Sequence, residues 1–201
     1  MSSLEQALAS LLARLTEQRA RYALVGGLAV SVRTEPRFTR DADVCVAVDD
    51  DREAEDLVRS LRSAGYRVIA IVEQEEAGRI ATVRLVSVEG HGDDVVLDLL
   101  FASSGVEHEV VGTAEELEVF EDVTAPVASV ASLIALKLLA RDDVVRPQDR
   151  VDLVALLHVA SSSDMATAYD LAVLISDRGY HRGKDLTAEL DAIRAEVSQR
   201  Q

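Results

Sequence analysis

Across residues 3–19, apolar side chains recur at Leu4, Leu8, Leu11, Leu12 and Leu15, the spacing of one helical face. A short strand is predicted at 22–25, closing on Gly26-Gly27. The next helix, over 28–33, is expected to stop near Glu35-Pro36, because the residue before a proline disfavours helical backbone. The pattern then switches to a period of two. A strand opens with Asp41-Ala42-Asp43 and runs to 48, with Val44, Val46 and Val48 on the face opposite the two acids. Asp49-Asp50-Asp51 marks a helix start, where carboxylates meet the positive end of the helix dipole. That helix is expected to end at Gly65. Strands follow at 66–72, 79–88 and 94–101, the last two joined by a turn at 89–93. The strand over 94–101 carries aliphatics on both sides of Asp98, the mark of a strand buried on both faces.

No periodic element is assigned between 102 and 128. After about Pro126 the text turns helical, with helices predicted over 129–141, 147–160, 165–176 and 184–199. The expected fold class is therefore α/β in the α+β sense. A mixed β-sheet core with helices occupies 1–125, and a helical lobe occupies 126–201. No internal repeat or low-complexity tract interrupts it.

Composition narrows the picture. A chain of 201 residues suits one domain, or a domain with a small lobe, and 48% hydrophobic content suffices for a core. Apolar runs are too short to span a bilayer, so no membrane partner is expected. The first fifteen residues mix acid and base and read as an amphipathic helix, not a signal peptide. One cysteine excludes an internal disulfide, and no Cys/His cluster has zinc spacing. A cytoplasmic location is expected. The net charge of −15 argues against a broadly basic surface for nucleic acid, although Arg33, Arg37 and Arg40 concentrate positive charge between the glycines and the aspartates.

That interval carries the candidate chemistry. Asp41 and Asp43 share one strand face, and both ionise comfortably only with a cation between them or water around them. Gly26 and Gly27 precede a helix start, where backbone N–H groups cradle an anion if no side chain blocks its approach. The plainer readings are a surface strand cap for the acids and a helix-entry turn for the glycines. Ser31 and Thr39 offer hydroxyl donors to phosphate. Arg37 and Arg40 suit phosphate or an RNA backbone, or else a solvated loop. Asp98, alone among aliphatics, must be paired, hydrogen-bonded or metal-bound, and an arginine partner would satisfy it as well as a metal.

Val25-Gly26-Gly27, thirteen intervening residues, then Asp41-Ala42-Asp43-Val44 resembles the nucleotidyltransferase superfamily related to DNA polymerase beta. The finer text, Gly26-Gly27-Leu28-Ala29-Val30 with Arg37-Phe38-Thr39-Arg40-Asp41-Ala42-Asp43, is similar to its AbiEii-type toxin branch. Two later motifs fit the same branch. One is Lys137, one of only two lysines, in the otherwise apolar Leu133-Ile134-Ala135-Leu136-Lys137-Leu138-Leu139. The other is Arg146-Pro147-Gln148-Asp149-Arg150-Val151-Asp152-Leu153, with arginine where the branch usually has lysine.

The resemblance implies transfer of an NMP from an NTP to an acceptor hydroxyl on tRNA or protein, by a toxin with a cognate antitoxin. It implies two Mg²⁺ ions, or Mn²⁺, held by Asp41, Asp43 and Asp98, with Asp98 also a candidate base. It places Gly26, Gly27, Ser31, Thr39 and Arg40 on the nucleotide, Lys137 on its phosphates, and Asp152 in the cleft. Two other readings stay open. One is a catalytically degenerate member that binds nucleotide or protein. The other is a transferase acting on a small polycation such as an aminoglycoside, which suits an acidic protein.

Overall fold

In the computed structural model, residues 2–37, 39–74, 77–87 and 95–199 are described. Phe38, Val88, Asp94 and the expected turn at 89–93 lie outside them.

The fold is built around β2 (Asp41–Ala47), which stands in the middle of a seven-stranded mixed sheet. On one side β1 (Arg21–Val25) pairs with it antiparallel; on the other β5 (Val96–Leu100) runs parallel. β4 (Arg79–Ser87) and the edge strand β3 (Tyr66–Gln74) extend the sheet beyond β5. β7 (Val123–Val127) and β6 (Glu115–Phe120) extend it beyond β1. The alternation read from β2 shows in its first half, where Ala42 and Val44 are buried while Asp41 is exposed and Asp43 partly so; beyond Val44 the strand is buried on both faces, Cys45 and Ala47 included. The helices α1 (Ser3–Glu17) and α4 (Glu107–Gly112) contact β2. Leu8, Leu11 and Leu15 of the predicted α1 stripe are fully buried.

α2 (Gly26–Arg33) begins on the glycines themselves, two residues earlier than expected. Arg33 at its end donates to the carbonyls of Val127 and Ala128 at 3.0 Å each and so ties α2 to β7. α3 (Asp51–Ser63) is capped by Asp50, whose carboxylate accepts from the Glu53 amide.

The stretch without assigned elements proves structured. It holds α4, β6 and β7, and the loop entering α4 is organised by one acid. Glu107 is buried, and its Oε1 accepts from the amides and hydroxyls of both Ser103 and Ser104. β7 runs across the point where the composition turns helical.

The helices α5 (Val130–Ala140), α6 (Pro147–Val159), α7 (Ser162–Asp177) and α8 (Leu186–Ser198) follow in the expected order. The side chain of Ser129 caps α5 at the Ser132 amide, and Pro147 opens α6, where its missing N–H costs nothing. Lys184, the second lysine, donates to the carbonyls of Leu138 and Leu139 at the other end of α5. Arg178 donates to the Gly105 carbonyl and pairs with Glu109 at 2.7 Å, holding the end of α7 against α4.

Candidate active site

A cleft of about 820 Å³ lies between the acid-bearing sheet face and the helices α5 and α6. The β1–α2 junction, β2, β4 and β5 line one side, and residues 133–140 and 145–149 line the other. Pairing register sets the floor. Asp43 lies opposite Asp98 in the parallel β2–β5 ladder, and Asp98 lies opposite Arg84 in the antiparallel β4–β5 ladder. Side chains in register share a face, so Asp43, Asp98 and Arg84 form one row, with Asp41 beside it.

Gly26 sits directly under this row. Its φ is +66°, in the left-handed region, and a Cβ there would stand 1.9 Å from Asp43 Oδ2. Only glycine permits both that turn and that approach. At Gly27 a Cβ would meet Arg37 Nη2 at 2.4 Å, so the Arg37 guanidinium lies over the start of α2.

Burial and four neighbouring charges act on Asp43. Loss of water around it, then the charges of Asp41 and Asp98, push its pKa from an ordinary 3.8 up to about 7. Lys137 and Arg146 pull the other way and do not offset this. Asp98 is buried and engaged: Arg84 Nε donates to Oδ1 at 2.8 Å and Nη2 to Oδ2 at 2.7 Å. Among the described residues, no three histidine, cysteine or carboxylate side chains converge closely enough to hold a metal ion as they stand.

The roof is an ion network. Lys137 is buried, with Nζ 2.8 Å from Asp149 and 2.7 Å from Asp152. Arg37 reaches from the basic loop to Asp152 at 2.9 Å, Gln148 also donates to Asp152, and Arg146 lies 2.9 Å from Asp149. Burial raises the Asp152 pKa, but Lys137, Gln148 and Arg37 outweigh it and hold the carboxyl below its usual range. Lys137 is therefore paired with carboxylates, where the resemblance implied a phosphate partner.

Of the sequence-predicted residues, Gly26, Gly27, Thr39, Arg40, Asp41, Asp43, Asp98 and Lys137 line the cleft. Asp152 lies behind Lys137 and Arg37, outside the lining. Ser31 is also outside it, and its hydroxyl donates to the carbonyls of Gly27 and Arg37. Ser31 thus holds the basic loop against α2. Arg84 and Arg182 line the cleft without having been singled out. Arg182 projects from the α7–α8 turn and donates to the Ser103 carbonyl at 2.9 Å. With Arg37, Arg40, Lys137 and Arg146 they put six basic side chains in the cleft lining beside four acidic ones, Asp41, Asp43, Asp98 and Asp149.

A family model described as "Nucleotidyl transferase AbiEii toxin, Type IV TA system" matches residues 10–201. No curated protein matches. Among solved structures, an antigenic nucleotidyltransferase-like protein from Paracoccidioides brasiliensis is 20% identical, with a TM-score of 0.53. The match covers 94% of this chain and 93% of that one. The lincosamide antibiotic adenylyltransferase LnuA, lincomycin-bound, is 18% identical with a TM-score of 0.47, over 78% of this chain and 98% of that one. The antibiotic-resistance factor ANT(2'')-Ia is also 18% identical with a TM-score of 0.47, over 96% and 90%. These likenesses are of fold.

Proposed function

This chain belongs to the AbiEii nucleotidyltransferase toxin family, and on that premise we propose that it moves an NMP from an NTP to an acceptor hydroxyl on tRNA or protein. In this reading it is the toxin of a toxin–antitoxin pair and works in the cytoplasm. The acceptor oxygen attacks the α-phosphorus, the bond to the α–β bridging oxygen breaks, and pyrophosphate leaves. The observation that carries the reading is the stacking of Gly26 under Asp43, beside Asp41 and Asp98, across one cleft from Lys137.

The residues present fit Mg²⁺ or Mn²⁺. The donors are all oxygen, and a cation would offset the burial of Asp43 and the charges of Asp41 and Asp98, which together raise the Asp43 pKa to about 7. Asp41, Asp43 and Asp98 would hold up to two such ions. Bound there, the metal supplies charge neutralisation and a lower pKa for an oxygen that it touches. The protein's own groups do the rest. Backbone amides at Gly26 and Gly27 receive phosphate oxygens at the start of α2, with Thr39, Arg40 and Arg37 closing over them. Lys137 and Arg146 bring positive charge to the leaving pyrophosphate from the roof. Asp152 fixes Lys137 and Arg37 and so positions both. Asp98 is placed to take the acceptor's proton when Arg84 does not hold it.

The excess of basic over acidic side chains in the lining supports an anionic acceptor over a polycationic small molecule. The test is transfer of label from each α-labelled NTP, with a divalent ion, into tRNA or lysate protein. Label is expected in one macromolecule class with wild type and none with Asp41→Ala. Nucleotide binding without transfer to any acceptor would overturn the enzyme reading in favour of a binding module. Labelled aminoglycoside alone would move it to the small-molecule class.

A further inference from the structure

The floor of the cleft contains an ion pair whose part in metal loading the transfer reading leaves open. Arg84 and Asp98 face each other across β4 and β5, and their opposition is fixed by flanking pairs that are buried, Val83 with Leu99 and Leu85 with Leu97. The two backbone positions cannot leave this opposition without a register slip, which would turn those apolar residues out of the core, whereas the side chains can part by rotation alone. The contact is a fork in which each Asp98 oxygen receives one N–H, at 2.8 and 2.7 Å. This is the strongest pairing that a carboxylate makes with a side chain. The two ends differ in access: the Asp98 side chain is 9% exposed and that of Arg84 is 48% exposed. The acid is committed to the floor, while the guanidinium is open to whatever enters.

We propose that Arg84 competes with the divalent cation for Asp98. The free protein holds one ion on Asp41 and Asp43, and Asp98 joins the metal site only when Arg84 lets go. The inference rests on the reading that these acids bind metal. Charge arithmetic supports it: three carboxylates against one guanidinium leave a charge that a single divalent ion balances. A second ion has no uncommitted carboxylate to bind until Arg84 moves. An anion arriving in the cleft supplies the reason to move, because the exposed guanidinium exchanges a carboxylate for phosphate oxygens of the same planar geometry. Metal loading and occupancy by a phosphate-bearing ligand are then linked, each strengthening the other. The sites stay half-loaded until the ligand is present.

The test uses Mn²⁺ alone, counted by paramagnetic resonance titration without nucleotide. Wild type is expected to bind one ion. Arg84→Met is expected to bind a second, or the first about ten-fold more tightly once the competing charge is gone. Arg84→Met/Asp98→Asn is expected to lose the gain. Because Arg84→Met leaves Asp98 buried without a counter-charge, Arg84→Lys is measured beside it. That variant keeps the charge, loses the fork, and should fall between. The Mn²⁺-induced rise in melting temperature should follow the same order, largest for Arg84→Met. Identical Mn²⁺ isotherms for wild type and Arg84→Met overturn the competition and leave the transfer reading intact. Absence of Mn²⁺ binding in every variant overturns both.

Discussion

Gly26 is the residue on which the site's geometry turns. Its left-handed backbone and the 1.9 Å clearance to Asp43 make two separate demands, and alanine fails both. Gly26→Ala is expected to lose roughly 2–5 kcal/mol of stability, from about 1–2 for left-handed backbone and about 1–3 for overpacking. Urea unfolding would measure the loss. Transfer should fall as well, because relief comes by pushing Asp43 off the row. Asp43 also predicts a pH dependence. Its carboxyl titrates near 3.8 in the unfolded chain and near 7 when folded, so between these values the folded state holds a proton that the unfolded state has released. Stability from this group is complete below about pH 4 and is lost as pH rises toward 7. With chelator present, wild type should lose stability across that window faster than Asp43→Asn, as read from urea midpoints at each pH. A steeper slope in the variant would contradict the assignment.

At the scale of elements, β2 was legible because two independent signals agreed. The period-two valines gave the strand, and the two acids that precede them gave its exposed face. The roof was legible in position but not in chemistry. The helix containing Lys137 is clear from the sequence, whereas its pairing with Asp149 and Asp152 depends on how α5 and α6 pack. The segment 102–128 shows the opposite failure. In β6, Leu117 and Val119 alternate with Glu116 and Glu118, which is a strand signal, but the run is short and highly acidic. β7 carries Pro126, which argues against a strand, and its place in the sheet comes from tertiary pairing with β1 and β6. Arg84 was also findable. A lone arginine in the apolar run of β4 and a lone aspartate in the apolar run of β5 are each costly alone, and pairing them resolves both. Arg182 left no such trace, because a turn between two helices announces nothing about the cleft that it reaches.

The whole molecule divides its site between two bodies of unequal standing. β2 is hydrogen-bonded on both sides, to β1 and to β5, and two further strands lie beyond each neighbour. The roof is fastened by α5 and α6 packing and by side-chain ties such as Lys184 and Arg37. In hydrogen-exchange terms, the central strand of a sheet opens only when the domain does, while the exposed connection between α5 and α6, outside the core that both helices share with the sheet, opens in smaller steps. Amides over 43–46 should exchange at the rate of global unfolding, and those over 142–150 several orders of magnitude sooner, as mass-resolved deuterium uptake would record. Equal protection of both stretches would contradict this. The consequence concerns which half of the site can respond. The acids are locked into the slowest-exchanging part of the protein, so anything that admits or expels a ligand, a neutralising partner included, has to act by loosening the roof.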